Sequence, residues 1–154
     1  MIWVPNSAQL LEVFTKSNLL IKPVFRDIGV IESALQRANL ELYGTEMYID
    51  IHTKVAAVTD SISRTHPLLD GNKRLAVAAT FVIFTMNNYR YVGSDNEADF
   101  YVSIAAEHLA LEDIAEHLRT LWLPGETRGL TPFPLGATIR DELPVTRGGA
   151  RRRV

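Results

Sequence analysis

An apolar run at residues 75–86 is the feature that most constrains what this chain can fold into. Ten of these twelve residues are apolar, and only Thr80 and Thr85 interrupt the run. A helix that is apolar on every face belongs in the middle of a helical domain, whereas a membrane span needs about 20 such residues. The run therefore predicts a buried central helix and no membrane partner.

The residues that lead into this run concentrate polar chemistry. Residues 66–74 read His-Pro-Leu-Leu-Asp-Gly-Asn-Lys-Arg. Two cations thus stand where a helix N-terminus presents free N–H groups and a partial positive charge, which is favourable when an anion binds there. Gly71 permits close approach, while Lys73 and Arg74 can neutralise a phosphate. The sequence predicts a phosphate cradle at the start of the central helix.

Other side chains near this loop suit reactions of phosphates. His66 can act as a general base near neutral pH, and Asp70 can hold Mg²⁺, which prefers carboxylate and phosphate oxygens. Asn72 can donate its amide or cap the helix. Arg64 can reach a nucleotide phosphate, or stabilise the C-terminus of the preceding helix as a cation. A second interpretation stays open, in which the loop is an ordinary turn followed by solvated cations.

The loop resembles the signature loop of the Fic/Doc superfamily. Its Asn-Lys-Arg ending is similar to the Doc (death-on-curing) branch, whereas the enzymatic Fic branch usually reads Gly-Asn-Gly-Arg. Residues 26–35, Arg-Asp-Ile-Gly-Val-Ile-Glu-Ser-Ala-Leu, resemble a second segment common in Doc-like proteins, and the Asn-Asn-Tyr of residues 87–89 resembles a third. The similarity covers about residues 20–122. Leu68 departs from it, because the family usually has a Phe there that packs under the loop.

The resemblance implies an all-α fold, a compact helical bundle around a buried central helix. It also implies a short flap-like extended segment, at residues 39–45 by position, which lines up the target protein beside the loop. Asp27 and Asp95 are predicted to cap the second and fifth helices. Residues 1–122 are predicted to form the helical domain, and residues 123–154 a Pro/Gly-rich, Arg-ended, partly disordered tail. Hydrophobic spacing predicts helices at 8–17, 28–38, 47–64, 75–86, 96–109 and 111–122.

Composition narrows the classes of function. The net charge is −2, and an arginine tail alone reads no bases, so direct contact with DNA is not expected. The absence of cysteine excludes disulfide and thiolate chemistry, and the N-terminus lacks the pattern of a secretion signal, so we expect a cytoplasmic protein. His52, His108 and His117 are predicted to be surface or boundary residues, and their spacing does not suit a zinc site.

The activity that the resemblance implies is transfer of the γ-phosphate of ATP, with Mg²⁺, to a protein hydroxyl. The target known in the family is a threonine of elongation factor Tu, whose modification stops translation. Carried over by position, His66 takes the proton from the target hydroxyl and Asp70 holds Mg²⁺ or orients the phosphates. The phosphate cradle consists of Gly71, Asn72, Lys73 and Arg74. Lys73 favours a kinase over a Fic-type adenylyltransferase, because a side chain there crowds the usual diphosphate position.

Inhibition is expected from a separate protein. Many Fic proteins carry an inhibitory helix with the pattern Ser/Thr-x-x-x-Glu-Gly/Asn, and the segments that begin at Ser103 and Thr138 approach this pattern without completing it. The resemblance thus implies a toxin held inactive by a Phd-like antitoxin, which pairs an acidic residue with Arg74. Adenylyl transfer and non-catalytic binding of a nucleotide or partner are the alternatives.

Overall fold

The computed structural model describes residues 2–17, 24–93 and 98–126. Within these ranges the chain forms six α-helices, a 3₁₀ helix and two small antiparallel strand pairs, so the predicted all-α fold is confirmed. The helices are α1 Ser7–Ser17, α2 Ile28–Gln36, α3 Ile51–Thr65, α4 Asn72–Met86, α5 Ala98–Ala106 and α6 Leu111–Leu121, with the 3₁₀ helix at Arg37–Asn39. The strands are β1 Glu41–Leu42, β2 Thr45–Glu46, β3 Tyr89–Tyr91 and β4 Trp122–Pro124.

The central helix is α4, as predicted, with α1, α3 and α5 packed around it. Every residue from 75 to 86 is buried except Thr85. The two threonine hydroxyls are satisfied inside the helix, because Thr80 donates to Ala76 O at 2.8 Å and Thr85 to Phe81 O at 2.6 Å. The run therefore enters the core without an unpaired hydroxyl. None of the helices in the described ranges has both the length and the apolar character that a membrane span needs.

The predicted start of α3 at residue 47 is wrong. The helix begins at Ile51, because Asp50 has extended backbone angles (φ −96°, ψ 163°) and accepts a hydrogen bond from Thr53 N at 3.4 Å. An N-cap in this conformation ends any helix that would run through it from residue 47. Asp27, in contrast, caps α2 as predicted and accepts from Gly29 N at 2.9 Å.

The predicted flap-like segment is a β-hairpin with a two-residue turn, and it lies between the 3₁₀ helix and α3. Strands β1 and β2 pair with Glu41 opposite Glu46 and Leu42 opposite Thr45. The turn residues Tyr43 (φ 52°) and Gly44 (φ 79°) are both left-handed, as a tight hairpin turn requires. We refer to residues 41–46 as the hairpin below.

Regular structure continues just past residue 122, where the tail was predicted to start. Leu123 and Pro124 belong to β4, which pairs with β3 so that Trp122 lies opposite Tyr91. Trp122 is fully buried against the C-terminal end of α4, where its ring lies 4.7 Å from that of Phe84. The rest of the predicted tail, from residue 127, lies outside the described residues, as does the predicted cap Asp95.

Candidate functional site

The loop between α3 and α4 begins with a sharp change of direction at His66. This residue ends α3 in the left-handed conformation (φ 50°, ψ 64°), and its N–H donates to Ile62 O at 3.2 Å. Left-handed backbone is uncommon for residues other than glycine and concentrates at functional sites. The imidazole is exposed beyond the end of the helix.

Leu68 anchors the loop to the body of the protein. It is fully buried, and the backbone on both sides of it pairs with the segment that precedes α2. Arg26 N donates to Pro67 O at 2.8 Å, and Leu69 N donates to Val24 O at 3.0 Å. Leucine therefore occupies the buried anchor position under the loop, where the family usually has phenylalanine.

Asn72 ties the two ends of the loop together. Its Oδ1 accepts from Leu68 N at 2.9 Å, its Nδ2 donates to Leu68 O at 2.8 Å, and Nδ2 lies 3.4 Å from His66 Nδ1. A carboxamide carries both an acceptor and donors, so this one side chain satisfies the N–H and the C=O of Leu68, as a neighbouring strand would. The Asn72 amide donates within the loop, its donation to a phosphate stays a prediction, and Asn72 does not cap the helix. The N-cap of α4 is Gly71 instead.

Gly71 leaves the start of α4 uncovered. A Cβ there would lie 3.5 Å from Phe14 Cζ, an ordinary contact, so the left-handed backbone (φ 94°) and not lack of space is what calls for glycine. Leu75 N donates the first intrahelical bond, to Gly71 O at 2.9 Å. The N–H groups of Asn72 and Lys73 precede that bond, and glycine has no side chain to cap them. This helix start fits a phosphate.

The predicted cations and acid lie around the same helix start. Lys73 and Arg74 are half-buried in the first turn of α4, and Asp70 is exposed, with its Oδ1 accepting from Gly71 N at 2.9 Å. In the described part of the chain, no three His, Asp or Glu side chains are close enough to hold a metal ion. A Mg²⁺ ion at Asp70 would thus need phosphate oxygens to complete its ligand shell, which is how this ion usually binds.

Arg64 points to different partners. Its Nε pairs with Asp60, its Nη2 donates to Leu109 O at 2.8 Å, and its Nη1 lies 3.2 Å from His108 Nδ1. These contacts join the end of α3 to the connection between α5 and α6. The phosphate contact predicted for Arg64 stays a prediction, and it would require the guanidinium to leave these partners.

A groove that the sequence did not reveal extends from the base of the hairpin to Thr65, the last residue of α3 before the loop. Its volume is about 1140 Å³, and it runs between α2, the segment before α1 and the C-terminal part of α3. Leu40 and Glu41 line it at the base of the hairpin, and Asp27 and Thr65 line it beside the loop. Because four separate segments build this groove, no local pattern in the sequence could have indicated it.

Glu32 holds two walls of this groove together. Its Oε1 accepts from Ser7 N at 2.8 Å, which links α2 to the first residue of α1, and its Oε2 accepts from Gln36 Nε2 at 3.1 Å. The hydrogen bond from the Ser7 backbone lowers the pKa of the Glu32 carboxyl below its ordinary value. An ionised carboxylate therefore belongs to the frame of the groove at neutral pH.

Comparisons with known proteins agree with the geometry. The sequence profile of the Fic/DOC family matches residues 7–84, a span that contains the whole loop and most of α4. Toxin Doc of Mycolicibacterium smegmatis is 32% identical over 96 residues, which cover 60% of this chain and 74% of that protein. Since the profile takes in about half of the chain, including the loop that carries the site, the chain belongs to the Fic/DOC family.

Proposed function

We propose that this protein is a toxin that transfers the γ-phosphate of ATP to a hydroxyl of a translation factor and thereby arrests protein synthesis. The observation that carries the proposal is the Asn72 side chain, which fixes the loop and lies 3.4 Å from the His66 ring. The proposed base thus lies beside the first residue of the helix whose start would bind the phosphate. The similarity to a protein named Toxin Doc supports the toxin assignment.

The start of α4 would bind the transferred phosphoryl group. Phosphoryl transfer needs positioning and charge stabilisation more than covalent chemistry from the protein. The N–H groups at the helix start donate to phosphate oxygens, and Lys73 and Arg74 stabilise the charge that spreads over them. Asp70 would hold Mg²⁺, and the ion supplies neutralisation of charge on the phosphate oxygens when it is bound.

His66 would accept the proton. The Asn72 oxygen already accepts from Leu68 N–H, so the amide nitrogen meets the His66 ring and can only donate to it. The contact therefore favours the tautomer in which Nδ1 carries the lone pair, and at 3.4 Å it is a weak hydrogen bond. An incoming hydroxyl can therefore displace the amide. A bond forms between the hydroxyl oxygen and the γ-phosphorus, the bond from that phosphorus to the leaving ADP breaks, and the proton goes to His66.

Lys73 is the residue that favours a kinase over an adenylyltransferase. It occupies the second position of α4, two residues after Gly71, where the Fic branch has glycine. A long cationic side chain there crowds the diphosphate position used in adenylyl transfer and favours a terminal phosphate beside the helix start. A threonine of elongation factor Tu is the acceptor that the family resemblance suggests.

An antitoxin supplied in trans would inhibit the protein at the same place. A carboxylate of such a partner, paired with Arg74, would compete with the nucleotide phosphates for the start of α4. The proposed partner is a Phd-like antitoxin.

Labelled nucleotides test the reaction directly. The purified protein is incubated with elongation factor Tu and ATP labelled at either the α- or the γ-phosphate, and the modified residue is located by mass spectrometry. We expect the γ-label on a threonine. The α-label on the acceptor would instead show adenylyl transfer and would refute the kinase assignment.

A matched pair of histidine variants tests the base. His66→Ala should lower transfer about 10²–10⁴-fold and so prevent growth arrest, whereas His108→Ala should retain both. The control is close, because His108 is also exposed and left-handed (φ 53°). Growth arrest that survives His66→Ala would support non-catalytic binding instead.

A further inference from the structure

Lys54 is a buried cation outside the site described above. It lies in α3 with 2% of its surface exposed. Burying an ammonium group costs several kcal/mol unless it is paired and hydrogen-bonded. Its Nζ donates to Ala38 O at 3.1 Å, Asn39 Oδ1 at 3.2 Å and Glu46 Oε1 at 2.8 Å. These three acceptors match the three hydrogens of the ammonium group.

The acceptors belong to two different pieces of the chain. Ala38 and Asn39 are in the 3₁₀ helix, while Glu46 is in β2 of the hairpin. The Glu46 side chain is 47% exposed, so the ion pair joins an interior position to a surface element. The hydrogen bond from Lys54, together with its charge, lowers the pKa of the Glu46 carboxyl. Lys54 thus fastens the hairpin to the body of the protein.

The hairpin has little else to hold it. Each strand has two residues, all of them exposed, and a hairpin of this size is not stable by itself. Met47 N donates to Leu40 O at 2.9 Å and closes its base. Immediately beyond it, the Tyr48 hydroxyl accepts from Arg37 Nε at 3.1 Å. Arg37 therefore anchors the chain that leaves the hairpin, whereas Lys54 anchors a strand of the hairpin itself.

We infer that Lys54 is a positioning residue, which through Glu46 holds the hairpin at the angle that lets a substrate protein lie along the groove with its hydroxyl at His66. The hairpin base lines one end of the groove, and Thr65, the residue before His66, lines the other, so a tilt of the hairpin changes the groove at the end remote from His66. None of the three acceptors of Lys54 belongs to the nucleotide cradle or to the loop. The identity of the reaction in this inference rests on the proposed function. Its mechanical part, that Lys54 holds the hairpin through Glu46, rests on the contacts of Lys54 alone.

The mechanical part is tested by spin labelling. The chain has no cysteine, so Tyr43→Cys at the exposed tip of the hairpin can carry a single nitroxide label. We expect Lys54→Met and Glu46→Ala each to increase the mobility of the label. Glu46→Ala removes a half-exposed side chain, so it keeps the test decisive if Lys54→Met fails to fold. Glu41→Ala is the matched control, because it removes the same residue type directly opposite Glu46, and it should leave the label unchanged. Equal mobility in all variants would overturn the inference.

The functional part is tested by separating acceptor binding from nucleotide binding. In Glu46→Ala we expect the KM for the protein acceptor to rise about ten-fold or more, because a loosened hairpin binds the acceptor less tightly, with kcat and the Kd for ATP nearly unchanged. Glu46→Gln, which still accepts from Lys54, should recover part of the loss. An unchanged KM, or equal losses in KM and ATP affinity, would refute the positioning role. If the wild-type protein transfers neither label, the proposed function fails, and the nitroxide mobilities alone then decide whether Lys54 holds the hairpin.

Discussion

The two ends of the core formed by α3 and α4 each present a histidine, and the two rings have opposite surroundings. His66, at the N-terminal end of α4, is exposed and lies 3.4 Å from the Asn72 amide. His52, at the C-terminal end of α4, has a side chain only 13% exposed, and its Nε2 lies 2.9 Å from Trp122 O. Its ring also contacts Phe84, with the ring centroids 5.2 Å apart.

Under the proposed function, this difference places stability at one end of α4 and chemistry at the other. At the His52 end, Trp122 stacks on Phe84 at 4.7 Å and meets Phe81 edge-on at 4.7 Å, which are favourable geometries for aromatic pairs. At the other end, left-handed residues and a helix start without a cap give up local stability. That loss leaves donors and a ring nitrogen available to a substrate, as functional sites commonly require.

The largest expected effect is on activity at the open end. His66→Ala should lower phosphate transfer about 10²–10⁴-fold, the usual contribution of a general base. Because the ring is exposed, the free energy of unfolding should change by less than about 0.5 kcal/mol. Transfer assays and urea denaturation of the same preparation measure the two quantities.

His52→Ala should show the reverse pattern and so sharpens the comparison. Loss of the hydrogen bond to Trp122 O and of the aromatic contact should cost about 1–3 kcal/mol of stability, while the folded protein keeps its transfer rate. A His52 variant that is stable but inactive would break the division between the two ends.

Trp122→Ala should be the most destabilising substitution at the packed end. Removing a fully buried indole from the aromatic cluster should cost about 3–5 kcal/mol, measured as a shift in the urea midpoint. Within the described residues the Trp122 Nε1 has no hydrogen-bond partner, so Trp122→Phe removes an unpaired donor and should cost much less. Equal losses in the two variants would show that the nitrogen matters more than the ring volume.

Asn72→Ala should have an intermediate effect that is confined to the open end. The variant leaves both Leu68 N–H and Leu68 O without their partner, which should cost about 1–3 kcal/mol. Transfer should fall further than this loss of stability explains, because the loop no longer holds His66 beside the helix start. Hydrogen exchange of residues 66–71, compared with that of α6, separates local loosening from global unfolding.

The smallest effect is a pH dependence at the packed end. Burial acts to raise the pKa of the Asp50 carboxyl, but hydrogen bonds from Thr53 and Arg119 and the Arg119 charge outweigh it and hold the pKa below its ordinary value. This contribution to stability is present above the unfolded pKa of about 3.9 and is lost as the pH falls through the lower, folded value. The half-exposed pair should contribute less than about 1 kcal/mol.

Denaturation of wild type and Asp50→Asn between pH 7 and pH 3 measures this contribution. The difference between them should shrink as the pH falls below about 4. When Arg119→Gln is present in both proteins, the stability difference caused by Asp50→Asn should be smaller at all pH values, because the partner charge is then absent. A difference that grows toward low pH would have the wrong sign for a lowered pKa.

The sequence was most informative where local chemistry decides. The apolar residues 75–86 predicted the buried helix because an unbroken apolar surface has no other stable place. Asp27 was recognisable as a cap, since the side chain acts on a backbone group two residues away. The sequence left two roles open for Asn72 and did not indicate its partner Leu68, which is reached only when the loop folds back on itself. The identity of the N-cap, Gly71, depends on the same fold-back.

What the sequence determined by itself is the helical domain, the buried helix and the loop at its start, because spacing along one chain specifies each of them. The tertiary structure alone decided the groove, the burial of Lys54 under the hairpin and the pairing of β4 with β3. Each of these joins residues far apart in the chain, and the stability of such a contact comes from packing and hydrogen bonds that no local pattern encodes.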